Sequence, residues 1–508
     1  ATPASSAPAP SNTNPAPSNT STESKIADKI VIGRIQDSED LDPVTQDGNV
    51  NIWMFNLVLE GLVMTNDDGT SIEPCLAEKW EISEDGLTYT FHIKEGLKFS
   101  DGSPVTGEDW VWSLLRTPNT AESIWQFAAE GIVDVAAPDD TTVIITLDKP
   151  RASLLAQLAM FNMTVQNKSY YEKIGQEAYS KKPIGTGPYM IKEWKIGEYL
   201  AFEKNPNYHI VDIPKTKEIV FTVVPDDNTR CLQLESGQID VATFVPFTKM
   251  AELDAKPDLV SVGIASTETR YVTFNHEVKP LGDIRVRKAI QHGTNKQELV
   301  DFVLQGYGEI ATSYAPPSGL YYNSKLQPYE YNVEKAKALL AEAGYPNGFE
   351  VELLLRAGNA VYEQMAVILK QQWEKIGIKA NILSLESATA VAKYRSLQHE
   401  ITIGGWTNDM NDPMQQAEYI FLPEVASGYY TQWVNDEAIR LVNDGKTELD
   451  PLKREQIYMR LQEIHVADTP MMPVFHSVYP VSMNQNVEGF VQTPLGNYRF
   501  ENLVKYVN

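Results

Sequence analysis

Ten consecutive residues, Gly404-Gly405-Trp406-Thr407-Asn408-Asp409-Met410-Asn411-Asp412-Pro413, carry the most concentrated chemistry in this chain. Two carboxylates and an indole share one short polar loop, entered from the apolar residues Ile401 and Ile403. Carboxylates accept hydrogen bonds from a cation and an indole face attracts one, so Trp406 with Asp409 and Asp412 can hold a cation against an aromatic wall. The same residues have ordinary uses: aspartate before proline is common turn chemistry, and tryptophan fills cores.

The elements that position this loop belong to a large acidic body. A chain of 508 residues exceeds what one core supports and divides into two or three lobes. The hydrophobic fraction of 43% is that of a soluble globular protein. The formal charge of −25 argues against a nucleic-acid partner and against electrostatic docking to an anionic membrane. Two cysteines, Cys75 and Cys231, make neither a disulfide scaffold nor a zinc site; they pair across the fold or stay as two buried thiols. The seven histidines are scattered without helical ligand spacing, so a histidine metal site has no support. No apolar run is long enough to span a bilayer. Residues 1–24 are Ala, Pro, Ser, Thr and Asn with one acidic residue, which reads as an extended tether. No signal peptide is visible. A tether before an acidic body suits a surface-anchored protein outside the cytoplasm.

Periodicity fills in the body. Residues 52–63 are apolar and helix-compatible, and residues 80–98 alternate as a hairpin turning at Glu84-Asp85-Gly86. Thr106 with Asp109 resembles a capping box. Ile184-Gly185-Thr186-Gly187-Pro188-Tyr189 lacks the Lys-Ser/Thr of a phosphate loop and reads as a tight crossing between lobes. In the second half Asn332 caps a helix over 333–343, a strand covers 351–355, a helix 361–376, a strand 378–385 and a helix 454–466. This rhythm implies mixed sheets flanked by helices. Serine-hydrolase elbow, zinc-protease and Walker signatures are absent, and Asp409 and Asp412 match a glycosidase pair by residue type only. The composition fits a binding protein better than a catalyst.

Several motifs then stand in a recognisable order: Leu76-Ala77-Glu78-Lys79-Trp80, Ser83-Glu84-Asp85-Gly86-Leu87-Thr88-Tyr89-Thr90-Phe91, Gly96-Leu97-Lys98-Phe99-Ser100-Asp101-Gly102, Pro183-Ile184-Gly185-Thr186-Gly187-Pro188-Tyr189, Asp283-Ile284-Arg285-Val286-Arg287-Lys288-Ala289-Ile290, and Pro494-Leu495-Gly496 with Phe500-Glu501-Asn502. Over about residues 30–505 the chain resembles the family 5 solute-binding proteins of bacterial ABC transporters, the peptide- and nickel-binding group. The resemblance implies an α/β, periplasmic-binding-protein-like type II (cluster C) two-lobe hinge fold with an extra small domain inserted. Residues 1–25 would be the tether. Residues 26–58, 183–270 and 484–508 would form a discontinuous first lobe, 59–182 the inserted domain and 271–483 the large C-terminal lobe, with hinge crossings near 270–275 and 481–484.

The segment Gly405-Trp406-Thr407-Asn408-Asp409 followed by Asp412-Pro413 is similar to the dipeptide-binding branch. That similarity implies that Asp409 pairs with a peptide's α-ammonium and that Arg356, in Leu355-Arg356-Ala357-Gly358-Asn359, grips its α-carboxylate. Gly48 and Asn49 would offer backbone and small polar contacts, Trp406 would wall the pocket or pack, and Asp412 would hold the loop. A dipeptide spans only about 7 Å of backbone, so fixed opposite charges act as a ruler. The implied protein captures short peptides outside the cytoplasm, as a cell-surface lipoprotein or in the periplasm. It delivers them to an ABC permease as a monomer, without catalytic turnover, cofactor or metal. Relatives in the family take longer peptides, nickel chelates, haem, glutathione, opines and sugars. A sugar or sugar conjugate on platforms such as Trp53, Trp110, Trp112, Trp125 or Trp433 is an alternative cargo, as is a nickel chelate, and a secreted hydrolase is the alternative of a different class.

Overall fold

The computed structural model describes residues 25–423, 425 and 429–507. The expected tether over residues 1–24 lies outside these, and Lys25 already pairs with Val507 in a short strand. One eleven-stranded sheet runs through the molecule. Its middle is made of two long antiparallel strands, Leu259–Phe274 and Met471–Asn484. On one side of them lie Val241–Thr243, Lys29–Arg34, Glu218–Val223, Tyr199–Lys204 and Tyr189–Lys195; on the other lie Ile401–Trp406, Phe349–Arg356 and Ile378–Leu385. Parallel neighbours need a crossover, and helices supply it. Asp227–Glu235 connects Glu218–Val223 to Val241–Thr243, and Ala360–Glu374 connects Phe349–Arg356 to Ile378–Leu385. Asn359 caps the second of these helices through the Tyr362 N–H at 3.1 Å.

The two long strands change core along their length. Ile264, Tyr479, Val481 and Met483 pack with Ile30, Ile32 and Phe221 of the first lobe. Val272, Phe274, Met472 and Val474 pack with Leu353, Ile401 and Trp373 of the large lobe. The lobes therefore join between Ile264 and Val272 and between Phe475 and Tyr479, where the strand register slips between Ala265 and Thr269. Within the stretches expected as crossings, Val272 and Phe274 pack in the large-lobe core and Val481 and Met483 in the first-lobe core. A register slip leaves backbone groups free of the regular ladder, which is where a sheet can bend.

The inserted domain is a four-stranded antiparallel sheet, Ala77–Ile82, Thr88–Ile93, Thr142–Leu147 and Ile132–Asp139. Alternate residues Tyr89, Phe91 and Ile93 face inward, as period two requires. The helix Gly107–Asn119 covers it, with Thr106 and Asp109 forming the reciprocal capping box. This domain shares one continuous core with the first lobe. It also reaches the large lobe: the Ala152 N–H donates to the Lys446 carbonyl at 3.1 Å, Lys446 lies 3.5 Å from Glu130, and Ser153 meets the Met414 sulfur at 3.1 Å.

The helix expected over 52–63 is absent. Only one turn, Asn49–Ile52, and a 3₁₀ turn, Phe55–Leu57, form there. The cause is long-range: the Val58 carbonyl accepts from the Gly187 N–H at 2.9 Å, and the Gly185 carbonyl accepts from the Ser100 N–H at 2.8 Å. The glycine-rich segment thus knits the first lobe to the inserted domain. A Cβ placed on Gly185 would stand 2.1 Å from the Val58 oxygen. Gly185→Ala should lower the free energy of unfolding by roughly 1–3 kcal/mol, read from urea denaturation, because backbone cannot yield as a side chain does.

Candidate ligand-binding site

The carboxyl ends of strands from both lobes open onto one cleft of about 720 Å³. In open α/β sheets ligands bind at such a crevice. Asn49, Trp53 and Phe244 line it from the first lobe; Arg270, Arg356 and Thr407 line it from the large lobe. Tyr479, on one of the joining strands, lies between them.

Arg356 is the last residue of the strand Phe349–Arg356 and is exposed. Its guanidinium lies 5.9 Å from the Tyr362 ring centre. Arg270, on the long strand Leu259–Phe274 one strand further across the sheet, sits 5.2 Å from the same ring centre and donates to the Tyr362 hydroxyl at 3.0 Å. The two cations differ in charge balance. Arg270 is paired with Glu268, whereas Arg356 has no ion pair among the described residues.

The two aspartates of the loop differ in the same way. Asp412 is buried and receives two parallel bonds from Arg454, at 2.6 and 2.8 Å, plus the Met414 N–H at 2.9 Å. It holds the loop. Asp409 has one hydrogen-bond partner, the Gln415 amide at 2.9 Å, and no cation among the described residues. Burial pushes its pKa up to about 6, with the Gln415 bond only partly opposing the rise. It interacts electrostatically with Tyr479 in the cleft wall.

The remaining expected residues divide. Thr407 and Asn49 line the cleft. Trp406 packs edge-on against Tyr419 at 4.9 Å and donates its indole N–H to Asn408 at 3.1 Å, inside an aromatic cluster of the large lobe. Asn408 is buried, and its backbone N–H donates to the Thr267 hydroxyl at 2.9 Å, tying the loop to a joining strand. Gly405 makes room for Arg270: an added Cβ would lie 2.2 Å from that guanidinium. Gly48 precedes the turn Asn49–Ile52 and donates its N–H to the Gln46 side chain at 2.7 Å. Cys75 and Cys231 are free and buried in separate cores, so they are two thiols rather than a pair. Among the described residues no group of three or more His, Cys, Asp or Glu could hold a metal ion, and no helix is long and apolar enough to cross a membrane.

Residues 71–428 match the model of bacterial extracellular solute-binding proteins, family 5. The chain belongs to this family. It is 32% identical to heme-binding protein A of Haemophilus influenzae over 86% of this chain and 85% of that one. It is 28% identical to the dipeptide-binding protein of Escherichia coli over 89% of each. Among solved structures it is similar to the ABC transporter-associated periplasmic binding protein DppA from Helicobacter pylori in complex with the peptide STSA. That likeness has a TM-score of 0.82 and 27% identity and covers 94% of this chain and 98% of that one. The two-lobe α/β architecture is therefore that of a family 5 solute-binding protein, a component of transport.

Sequence reasoning missed several walls of this solute-binding protein's cleft. Glu268, Arg270 and Tyr479 sit in strands, and Phe244 follows the end of one. The one available signal was Glu268 and Arg270 two apart, hence on one face of a strand.

The unpaired carboxylate has a measurable cost. The folded protein keeps the Asp409 proton up to about pH 6, whereas an unfolded chain loses it near 4, so the charged form opposes folding above pH 6. Asp409→Asn should therefore raise the stability of the ligand-free protein at pH 8 by on the order of 2 to 3 kcal/mol. The gain should vanish by pH 4, as read from urea unfolding at both pH values.

Proposed function

We propose that this solute-binding protein captures short peptides, dipeptides foremost, between its lobes and hands them to the permease of an ABC importer without chemical turnover. It works outside the cytoplasm as a monomer, with residues 1–24 as the spacer between a lipid anchor and the folded body. The observation that carries the reading is the pair of unsatisfied opposite charges. Among the described residues Asp409 lacks a cation and Arg356 lacks an anion; Arg356 lines the cleft, and Asp409, which does not line it, interacts with Tyr479 of its wall. A zwitterion supplies both missing partners at once. A carboxylate accepts from an ammonium's three protons, and a guanidinium meets a carboxylate with two parallel bonds. The dipeptide-binding relative and the peptide-bound neighbour support the same class of cargo.

Calorimetry on protein stripped of cargo tests it. A free dipeptide should bind much more tightly than its N-acetylated form, by roughly 2–5 kcal/mol, because acetylation leaves a buried carboxylate unpaired. Affinity should be greatest near pH 7 and fall toward tenfold per unit below about pH 6, since ligand must then displace a proton from Asp409; Asp409→Asn should remove this dependence. Equal binding of blocked and free peptides would refute the reading. Hemin belongs in the same titration because a relative carries a heme-binding name. Tight hemin binding with no response to peptide would replace peptide as the cargo.

A further inference from the structure

The first lobe contributes one charged residue to the cleft, Asp227, which Arg230 neutralises at 2.6 Å, and otherwise meets Arg270 and Arg356 with aromatic rings. Phe244 lines the cleft at the end of the strand Val241–Thr243. Its backbone is left-handed, with φ of 54°. A bulky residue enters that region only when its surroundings impose it. Here the imposing group is Arg230, which is completely buried. Its guanidinium donates to three carbonyls, Val224 at 2.8 Å, Thr243 at 3.0 Å and Phe244 at 2.7 Å, and to Asp227 at 2.6 Å. On the far side the Val245 N–H donates to the Pro480 carbonyl at 3.2 Å. The chain is thus fixed immediately before and after the strained residue, and the ring has little freedom to leave.

The ring that this backbone presents is backed by others. Phe244 lies nearly parallel to Trp53, with planes 9° apart and centroids at 5.7 Å. Trp53 also lines the cleft and meets Tyr479 edge-on at 5.0 Å. Trp53 is itself set by Gly496, where any Cβ would come within 2.1 Å of the indole. Pinning a strained residue has a cost, and a fold retains such costs where a side chain must be presented.

We propose that Phe244, held by Arg230 and backed by Trp53, is the specificity-determining wall that receives an apolar or aromatic side chain of the bound peptide. The inference rests on the peptide reading above. The large lobe fixes the peptide's charged ends, and closure brings the first lobe's rings onto what projects between them. An aromatic wall rewards apolar area and is indifferent to backbone length.

The experiment is calorimetry with Ala-Ala, Ala-Phe and Phe-Ala on the full chain, its Phe244→Ala variant and its Phe244→Leu variant. The wild-type protein should prefer at least one phenylalanine-containing dipeptide. Phe244→Ala should lose about tenfold on that peptide and less than about threefold on Ala-Ala, and Phe244→Leu should keep most of the preference. A preference that survives Phe244→Ala, or an equal loss on all three peptides, overturns the wall while leaving the peptide reading in place. Failure of the wild-type protein to bind any of the three overturns both. The pinning has its own readout. Phe244→Gly should unfold at a higher urea concentration than Phe244→Ala, because glycine adopts the left-handed backbone freely. Equal midpoints would remove Arg230 from the account.

Discussion

A half-buried carboxylate without a counter-charge is costly, and among the described residues the loop beside the cleft holds one, Asp409. Asp409 and Asp412 stand three residues apart in the same loop, yet only Asp412 is neutralised, by a guanidinium forty-two residues further on. Among the described residues the contrast repeats at Arg270 and Arg356, of which Arg270 alone has a carboxylate partner. Stability forgone at a fixed place is the physical mark of a group reserved for something that is not part of the chain.

The cost also depends on how the lobes sit. Met410, next to Asp409, is buried in the core shared by the first lobe and the inserted domain, although its loop belongs to the large lobe. Tyr479, which interacts with Asp409, lies on the first-lobe side of the joining strands. Part of the burial that raises the Asp409 pKa is thus supplied from across the cleft. Separating the lobes returns water to the carboxylate, and a bound cation offsets the penalty when they meet. Ligand binding and closure are then linked through one group: whatever stabilises ionised Asp409 in the closed form favours closure. The contacts of Lys446 with Ala152 and Glu130 are far from this loop in sequence but act on the same equilibrium, since they too join the inserted domain to the large lobe.

Elements governed by local rules were legible in the sequence. Thr106 with Asp109, Asn332 before its helix and the strand Ile378–Leu385 lie where caps and alternation put them. What failed was decided at a distance. The apolar run after Asn49 has a helical look, but Val58 gives its carbonyl to Gly187, one hundred and twenty-nine residues later, and the helix stops. The joining segments looked like plain strands, and only the division of their side chains between two cores shows where they bend. The resemblance implied that Asp412 holds the loop, but residue types alone did not point to Arg454, whose two parallel bonds do the holding. Gly405 had no visible purpose until the Arg270 side chain lay across it. Trp406 shows the opposite limit: an indole beside two carboxylates suggests a cation wall, and the aromatic neighbours that take it into the large lobe come from other segments.

The same geometry separates what must be kept from what can vary. Along Phe349–Arg356 the residues Val351, Leu353 and Leu355 belong to the core, and Arg356 emerges only at the strand's end. Ile401 and Ile403 are likewise core, and Thr407 follows the last strand residue. Val241 is core, and Phe244 is the first residue beyond its strand. In each case the packing that builds the lobe ends one or more residues before the group that faces the cleft. A substitution at Arg356 or Thr407 therefore changes the chemistry facing the cleft beyond the last core residue of its strand, whereas Phe244 also stacks on buried Trp53. Asp409 is different, because its neighbour Met410 packs in the first-lobe core and Asp412 is fixed to Arg454 within the large lobe, so a change in this loop reaches buried contacts on both sides.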